Sequence, residues 1–165
     1  MKGRGMPVIV TDAQIAHLRA LPKRLTNPRA RKRQSERFIS RDLDAESIDG
    51  SEAFSIYTRQ NLADPDDFST GIRWRHRRTE VTLARYNGTS HEHRNFLERD
   101  TIAFECHIHQ ATERYQQLDR KAEGYAVATA AYTNLDGAFR LLLAEWNFQT
   151  SPASANDGGL FNVDE

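Results

Sequence analysis

The strongest constraint on the fold is an alternation of apolar and polar side chains that recurs between residues 54 and 109. A period of two residues is typical of strands with one buried and one solvated face. The alternation predicts strands over Phe54–Arg59, Ile72–Arg77, Val81–Tyr86 and Ala103–His109, preceded by a weaker one within Arg37–Ile48. A short turn near Arg78 makes the second and third of these an antiparallel hairpin.

The alternation also assigns side chains to faces. In the hairpin, Val81, Leu83 and Arg85 are predicted to share one face. The division between apolar and polar faces is sharpest in the last predicted strand. Its apolar face carries Phe104, Cys106 and Ile108, and its polar face carries Glu105, His107 and His109. This pattern predicts an apolar back face that anchors the strand and a polar face that carries the histidines.

Two helices are expected at the ends of this sheet. Thr11 and Gln14 form a capping-box pattern before apolar residues at helical spacing, and Pro22 should end that helix. Near the other end, Leu135, Phe139, Leu142 and Trp146 recur at helical spacing after Asn134, a good N-cap residue. The predicted fold class is α+β, with a four- or five-stranded, mostly antiparallel sheet and helices packed on one face.

Length and composition set the class of protein. A chain of 165 residues is predicted to form a single domain, and no apolar run approaches the roughly 20 residues of a membrane span. The sequence shows no secretory signal, so a cytoplasmic protein without a membrane partner is expected. Cys106 has no second cysteine to pair with and is expected to be a small buried residue.

Charge divides the chain although its net charge is zero. Residues 1–41 contain eleven Lys or Arg and two acidic residues, so the remainder is acidic by the same margin. We therefore expect a short helix and basic arm over 1–36, a single α+β domain over 37–148 and a disordered tail over 149–165. The residues that could bind nucleic-acid phosphates are Lys23, Arg24, Arg29, Arg31, Lys32 and Arg33 of the arm and Arg73 and Arg75 of a strand.

Four of the six histidines lie within nineteen residues, as His91 and His93 in a polar loop and His107 and His109 on a strand. Histidines two apart on a strand emerge on one face about 7 Å apart. A zinc ion could therefore be held by three or four ligands drawn from these side chains and Glu105 or Glu113, although the spacing does not require a metal. The histidines could equally be part of a solvated sheet face.

A metal-free interpretation uses the same side chains as proton acceptors and donors, because imidazole titrates near neutral pH. Arginines such as Arg85 could then stabilise phosphate charge, and a tyrosine such as Tyr115 could stack on a base or donate a proton. RNA is the expected substrate, because its 2′-hydroxyl can serve as an internal nucleophile.

The motifs are similar to those of a family of small uncharacterised bacterial and phage proteins, catalogued as a domain of unknown function. The matching residues are Arg85-Tyr86-Asn87-Gly88, His91-x-His93-x-Asn95 and His107-Ile108-His109 followed by Glu113 and Tyr115, within a resemblance over residues 52–148. Asn87 stands where the family often has Asp. More distantly, the order of motifs resembles the TumE family of toxin–antitoxin proteins, whose members are treated as toxins.

The resemblance implies toxin status, and the histidine and arginine side chains favour acid–base chemistry on RNA. Together they predict a toxin-like or defence-associated protein that acts on RNA, such as a ribonuclease, with an antitoxin or another protein as its partner. The candidate catalytic residues that the resemblance selects are Arg85, His91, His93, His107, His109, Glu113 and Tyr115. The alternative function is a non-enzymatic module that binds a nucleic acid or a protein through the basic arm and the arginine cluster. The two hypotheses differ in whether the histidines converge on a shared pocket.

Overall fold

The computed structural model describes residues 8–149, which form three helices and ten strands. The helices are α1 (Asp12–Ala20), α2 (Glu113–Gln117) and α3 (Leu135–Glu145). The strands are β1 (Lys23–Leu25), β2 (Arg33–Gln34), β3 (Phe38–Ser47), β4 (Ala53–Asn61), β5 (Phe68–His76), β6 (Thr79–Asn87), β7 (His93–Arg94), β8 (Thr101–Ile102), β9 (His107–Gln110) and β10 (Tyr125–Ala128). The predicted tail lies, apart from Gln149, outside the described residues.

Eight strands form one antiparallel sheet in the order β1-β3-β4-β5-β6-β9-β10, with β2 also paired to β3. Strands β7 and β8 form a separate two-stranded sheet within the predicted polar loop. The mixed helix-and-strand class and the antiparallel arrangement are confirmed, whereas the number of four or five strands is wrong. Strands β1, β2 and β10 escape prediction because they are too short, or too rich in small residues, to show an alternation.

The apolar core lies between α3 and one face of the sheet. Phe139 and Leu142 of α3 are buried with Ile56 of β4 and Ile72 of β5. The side chain of Asn134 accepts a hydrogen bond from the backbone N–H of Gly137, which confirms it as the N-cap of this helix. Burying each of these large side chains contributes roughly 1.5–3 kcal/mol, so this layer fixes which face of the sheet stays polar.

The predicted basic arm is in part a packed element. Residues Lys23–Leu25 form β1 along β3, and the Lys23 side chain is fully buried. Its ammonium donates to the carbonyls of Leu21 and Trp146, both at 2.8 Å, and to that of Arg19 at 3.2 Å. The expectation that Lys23 binds nucleic acid is therefore wrong: this ammonium satisfies carbonyls at the C-terminal ends of α1 and α3.

The capping-box prediction for α1 is confirmed, since Thr11 and Gln14 bond each other's backbone N–H groups. The helix ends at Ala20, before Pro22, as expected. Within residues 8–149 no helix has the length and apolar character needed to cross a membrane.

One irregularity changes the predicted faces. Between β5 and β6, Ile72 pairs with Ala84 but Arg73 pairs with Thr82, so Leu83 is an extra residue. Such a bulge interrupts the alternation by one position. Val81 therefore lies opposite Trp74, whereas Arg85 lies opposite Gly71 on the other face, and the prediction that Val81 and Arg85 share a face is wrong.

Candidate functional site

The polar face of the sheet carries two cross-strand rows of side chains. Registers along neighbouring strands align the first row as Asp42, Tyr57, Gly71, Arg85 and His109, and the second as Ser40, Arg59, Ser69, Asn87 and His107. Successive strands lie about 4.8 Å apart, so members of a row are close neighbours. The bulge at Leu83 is what places Arg85 in the first row.

The four clustered histidines converge. Ring centroids are 5.0 Å apart for His91 and His107, 5.8 Å for His93 and His107, 4.5 Å for His93 and His109, and 5.1 Å for His107 and His109. The loop with His91 and His93 thus folds back over β9. His107 and His109 are buried as a result, which overturns the interpretation of this face as a solvated one.

The strand that carries them is shorter than predicted. Strand β9 begins at His107, and Phe104 is 62% exposed, so Phe104 is not part of an apolar back face. Cys106 is buried as expected, and burial raises the pKa of its thiol. His107 and His109 nevertheless share one face of β9, as the alternation predicted.

Backbone carbonyls orient the three inner histidines. The Nδ1–H group of His109 donates to the Glu123 carbonyl at 2.8 Å, and that of His107 donates to the Glu105 carbonyl at 2.9 Å. The Nε2–H group of His93 donates to the Gly124 carbonyl at 3.0 Å. Each of these bonds fixes the orientation of the ring and the direction of its second nitrogen.

Three of the clustered histidines, His91, His107 and His109, have pKa values below the ordinary one. Burial, followed by the nearby Arg85 guanidinium, lowers the pKa of His109 to about 2. Burial likewise lowers the pKa of His107, and burial together with Arg85 lowers that of His91. Neutral imidazoles can accept a proton, so the exposed member, His91, is the one placed to exchange protons with a ligand.

The convergence does not by itself make a metal site. Among residues 8–149, no set of three or more His, Cys, Asp or Glu side chains is arranged to hold a metal ion. These side chains are therefore not assigned as zinc ligands.

A cleft of about 530 Å³ opens on the polar face beside the cluster. Its lining combines four arginines with two acidic residues, and with polar side chains from four strands. The lining residues are Arg33, Ser40, Asp42, Tyr57, Thr58, Arg59, Asp67, Phe68, Ser69, Arg73, Arg85, Asn87 and His91. The excess of positive charge and the concave shape suit an anionic ligand of small-molecule size.

The arginines of the cleft are held over aromatic rings and near carboxylates. Arg73 lies 4.3 Å from the centroid of the Tyr57 ring, and an Arg59 nitrogen is 3.7 Å from a carboxylate oxygen of Asp67. Gly71 lies opposite Tyr57 and leaves room for its ring, because a Cβ atom at this position would lie only 2.6 Å from the Tyr57 ring. Burial raises the pKa of Tyr57, which keeps its hydroxyl protonated.

No family model, curated protein or solved structure matches the chain. The resemblances to a domain of unknown function and to TumE toxins therefore stay predictions. What the protein does has to be inferred from the cleft itself.

The structure divides the seven candidate catalytic residues. Arg85 and His91 line the cleft, and His93, His107 and His109 lie behind them. Tyr115 is buried with its hydroxyl donating to Glu98 at 2.6 Å, and the backbone N–H of Glu113 donates to Asp12 of α1 at 2.9 Å. The hydroxyl contact gives Tyr115 a structural role, and neither Tyr115 nor Glu113 lines the cleft.

The candidate nucleic-acid-binding residues divide as well. Arg33 and Arg73 line the cleft, and Arg33 forms an ion pair there with Asp42. Arg24 and Arg75 lie outside it and form ion pairs with Glu46 and Asp44. The other arm residues, Arg29, Arg31 and Lys32, are exposed. The sequence reasoning missed Tyr57, Arg59, Ser69 and Asn87, although the strand registers bring all four to the same face as Arg85.

Proposed function

We propose that the protein acts on RNA by cleaving a phosphodiester bond in the cleft on the polar face of the sheet. One observation carries the proposal: His91 lines a cleft with Arg59, Arg73 and Arg85, and its ring lies 5.0 Å from that of His107. A proton acceptor beside several guanidinium groups is the combination that attack on a phosphate requires.

The chemistry follows from the states of these groups. With its pKa lowered, His91 is neutral at pH 7 and can take the proton of a ribose 2′-hydroxyl. The resulting oxygen attacks the adjacent phosphorus, and arginines stabilise the negative charge that builds up on the phosphate oxygens. The 5′ oxygen leaves and takes a proton from water, so the product carries a 2′,3′-cyclic phosphate.

The inner histidines support this step as positioning residues. His107 and His109 are buried and neither lines the cleft, so neither reaches a substrate directly. Carbonyl bonds fix their rings, and the ring of His107 lies edge-on to that of His91. Rigid support of this kind keeps a catalytic side chain in one orientation.

The test is incubation of the purified protein with a single-stranded RNA and with a DNA of the same sequence. We expect cleavage of the RNA alone, with 2′,3′-cyclic phosphate ends detected by mass spectrometry. Because no metal takes part in the proposed step, a chelator should leave the rate unchanged. Cleavage of the DNA at a similar rate would overturn the mechanism, since DNA lacks the internal nucleophile.

A second candidate function is binding of nucleic acid without cleavage. It is favoured by the exposure of Arg29, Arg31 and Lys32 next to Arg33, which lines the cleft. In this case RNA stays intact, and affinity falls with salt by a slope of about 0.7 per phosphate contacted. Replacing these three exposed residues with alanine should then reduce the slope, whereas the same replacement should leave a cleavage reaction at saturating RNA unchanged.

A toxin-like role would be the biological setting of the cleavage proposal. RNA cleavage arrests growth when it is unrestrained, so a protein partner that covers the cleft would be required. Expression of the chain alone in bacteria is expected to slow growth. Expression of the His91→Ala variant should leave growth unchanged.

A further inference from the structure

The amide of Asn87 has a determined orientation. Because the Nδ1–H group of His107 donates to the Glu105 carbonyl, Nε2 of His107 is an acceptor. The Asn87 nitrogen Nδ2 lies 3.5 Å from this Nε2, whereas an oxygen in that place would oppose a second acceptor. Asn87 therefore directs Nδ2 towards His107 and keeps its oxygen Oδ1 for another partner.

That oxygen is left without a partner. Asn87 is only 5% exposed, and Oδ1 is buried with no hydrogen-bond donor among residues 8–149. A buried acceptor without a donor costs about 1–3 kcal/mol, so sites of this kind are filled by a ligand or a water molecule. Asn87 lines the cleft, so a ligand bound there would be beside it.

The surroundings define the ligand group. Arg85 lies two residues before Asn87 on the same face of β6. Its Nε–H group is likewise buried without an acceptor among the described residues. Arg59 is in the same cross-strand row as Asn87, separated from it by Ser69. A phosphate offers only acceptors to these arginines, whereas Asn87 Oδ1 requires a donor. The complementary ligand is a phosphate with a hydroxyl on the neighbouring carbon.

We propose that Asn87 is a specificity-determining residue that accepts a hydrogen bond from the ribose 2′-hydroxyl next to a bound phosphate in the ground state, before this hydroxyl turns its one hydrogen to His91 for the cleavage step. This inference rests on the proposed function for the identity of the substrate. It adds a reason, independent of the cleavage step, for ribonucleotides to be preferred over deoxyribonucleotides. A site built to bond a hydroxyl rejects the ligand that lacks it, because its polar atom then stays unpaired.

The test uses ligands that cannot be cleaved. Calorimetry would compare cytidine 3′-monophosphate with its 2′-deoxy form for the wild-type protein, with inorganic phosphate as the baseline. We expect the ribonucleotide to bind about tenfold more tightly, equivalent to about 1.4 kcal/mol. In Asn87→Leu, which keeps a similar volume, both nucleotides should bind alike, at the affinity of the wild type for the deoxynucleotide.

Ser69→Ala is the matched control, because Ser69 lies opposite Asn87 on β5 and lines the same cleft. Its ratio of affinities should remain near ten. Asn87→Asp retains an acceptor oxygen, so both affinities should fall through charge repulsion while the ratio is kept, which also shows that the site is still folded.

Equal affinities in the wild-type protein would overturn this inference and leave the cleavage proposal standing. The same holds if Asn87→Leu keeps the tenfold ratio, since Oδ1 then binds only a buried water molecule. Loss of the ratio in Ser69→Ala as well would assign discrimination to the shape of the cleft. Failure of every nucleotide to bind would instead count against the proposed function.

Discussion

Replacing His91 with alanine is expected to lower the rate of RNA cleavage by about 10²–10⁴-fold, the usual contribution of a general acid or base. The effect is this large because His91 is the exposed imidazole of the cluster and lines the arginine-rich cleft. Single-turnover cleavage of a labelled RNA at saturating protein measures the chemical step apart from binding. The affinity for a noncleavable nucleotide should change by less than threefold.

The pH dependence adds a second readout. Burial and Arg85 hold the pKa of His91 below its ordinary value of 6.5, so the imidazole becomes protonated only in more acidic solution. The wild-type rate should therefore decline only in solution more acidic than the ordinary imidazole pKa would require, and the residual rate of His91→Ala should lack this limb.

His17→Ala is the matched control, because His17 is an exposed histidine on α1, outside the cleft. It should cleave like the wild type. A rate for His91→Ala within threefold of the wild type would remove His91 from the mechanism, whether or not the protein still binds RNA.

The sequence predicts the sheet well where strands are long and half-buried. Alternation locates Phe54–Arg59 inside β4 and Ile72–Arg77 across most of β5, because both pack one face against α3. The same rule fails at Leu83, since a bulge is a property of two paired strands and leaves no mark in one of them.

The basic arm shows a different limit. Lys23 stands among arginines and prolines, and nothing local distinguishes it from its exposed neighbours. It is buried because carbonyls at the C-terminal ends of α1 and α3 come together around its ammonium, and Trp146 lies 123 residues away in the chain. A contact between residues this far apart in the chain leaves no periodic pattern in the local sequence.

The sequence predicts where the candidate site lies, but not which of its residues face a ligand. The clustering of histidines in the sequence identifies the right region, but it does not show which histidines are buried and which face the cleft. The buried rings of His107 and His109 and the half-buried ring of His93 form a support, and the ligand-facing groups come from strands β4, β5 and β6 through registers such as Arg59–Ser69–Asn87. Charge and spacing alone cannot rank His91 above His109, because the difference lies in burial.

That burial leads to an expected loss of stability in acid. In the folded protein the pKa of His109 is about 2, whereas in the unfolded chain it is near 6.5. Below pH 6.5 the unfolded chain therefore binds a proton that the folded protein excludes, so the free energy of unfolding decreases as pH falls. Between pH 7.5 and 5.0 this one group should cost about 2 kcal/mol. The lowered pKa of His107 acts in the same direction.

Urea denaturation at several pH values measures this loss, since the free energy in water follows by linear extrapolation. His109→Gln keeps a side-chain N–H group for the Glu123 carbonyl but cannot be protonated, so its stability should decline by about 2 kcal/mol less than that of the wild type over the same pH range. His17→Gln, which alters an exposed histidine, should follow the wild-type curve. If His109→Gln loses as much stability in acid as the wild type does, His109 is protonated in the folded protein, and the cluster is not the neutral support on which the role of His91 depends.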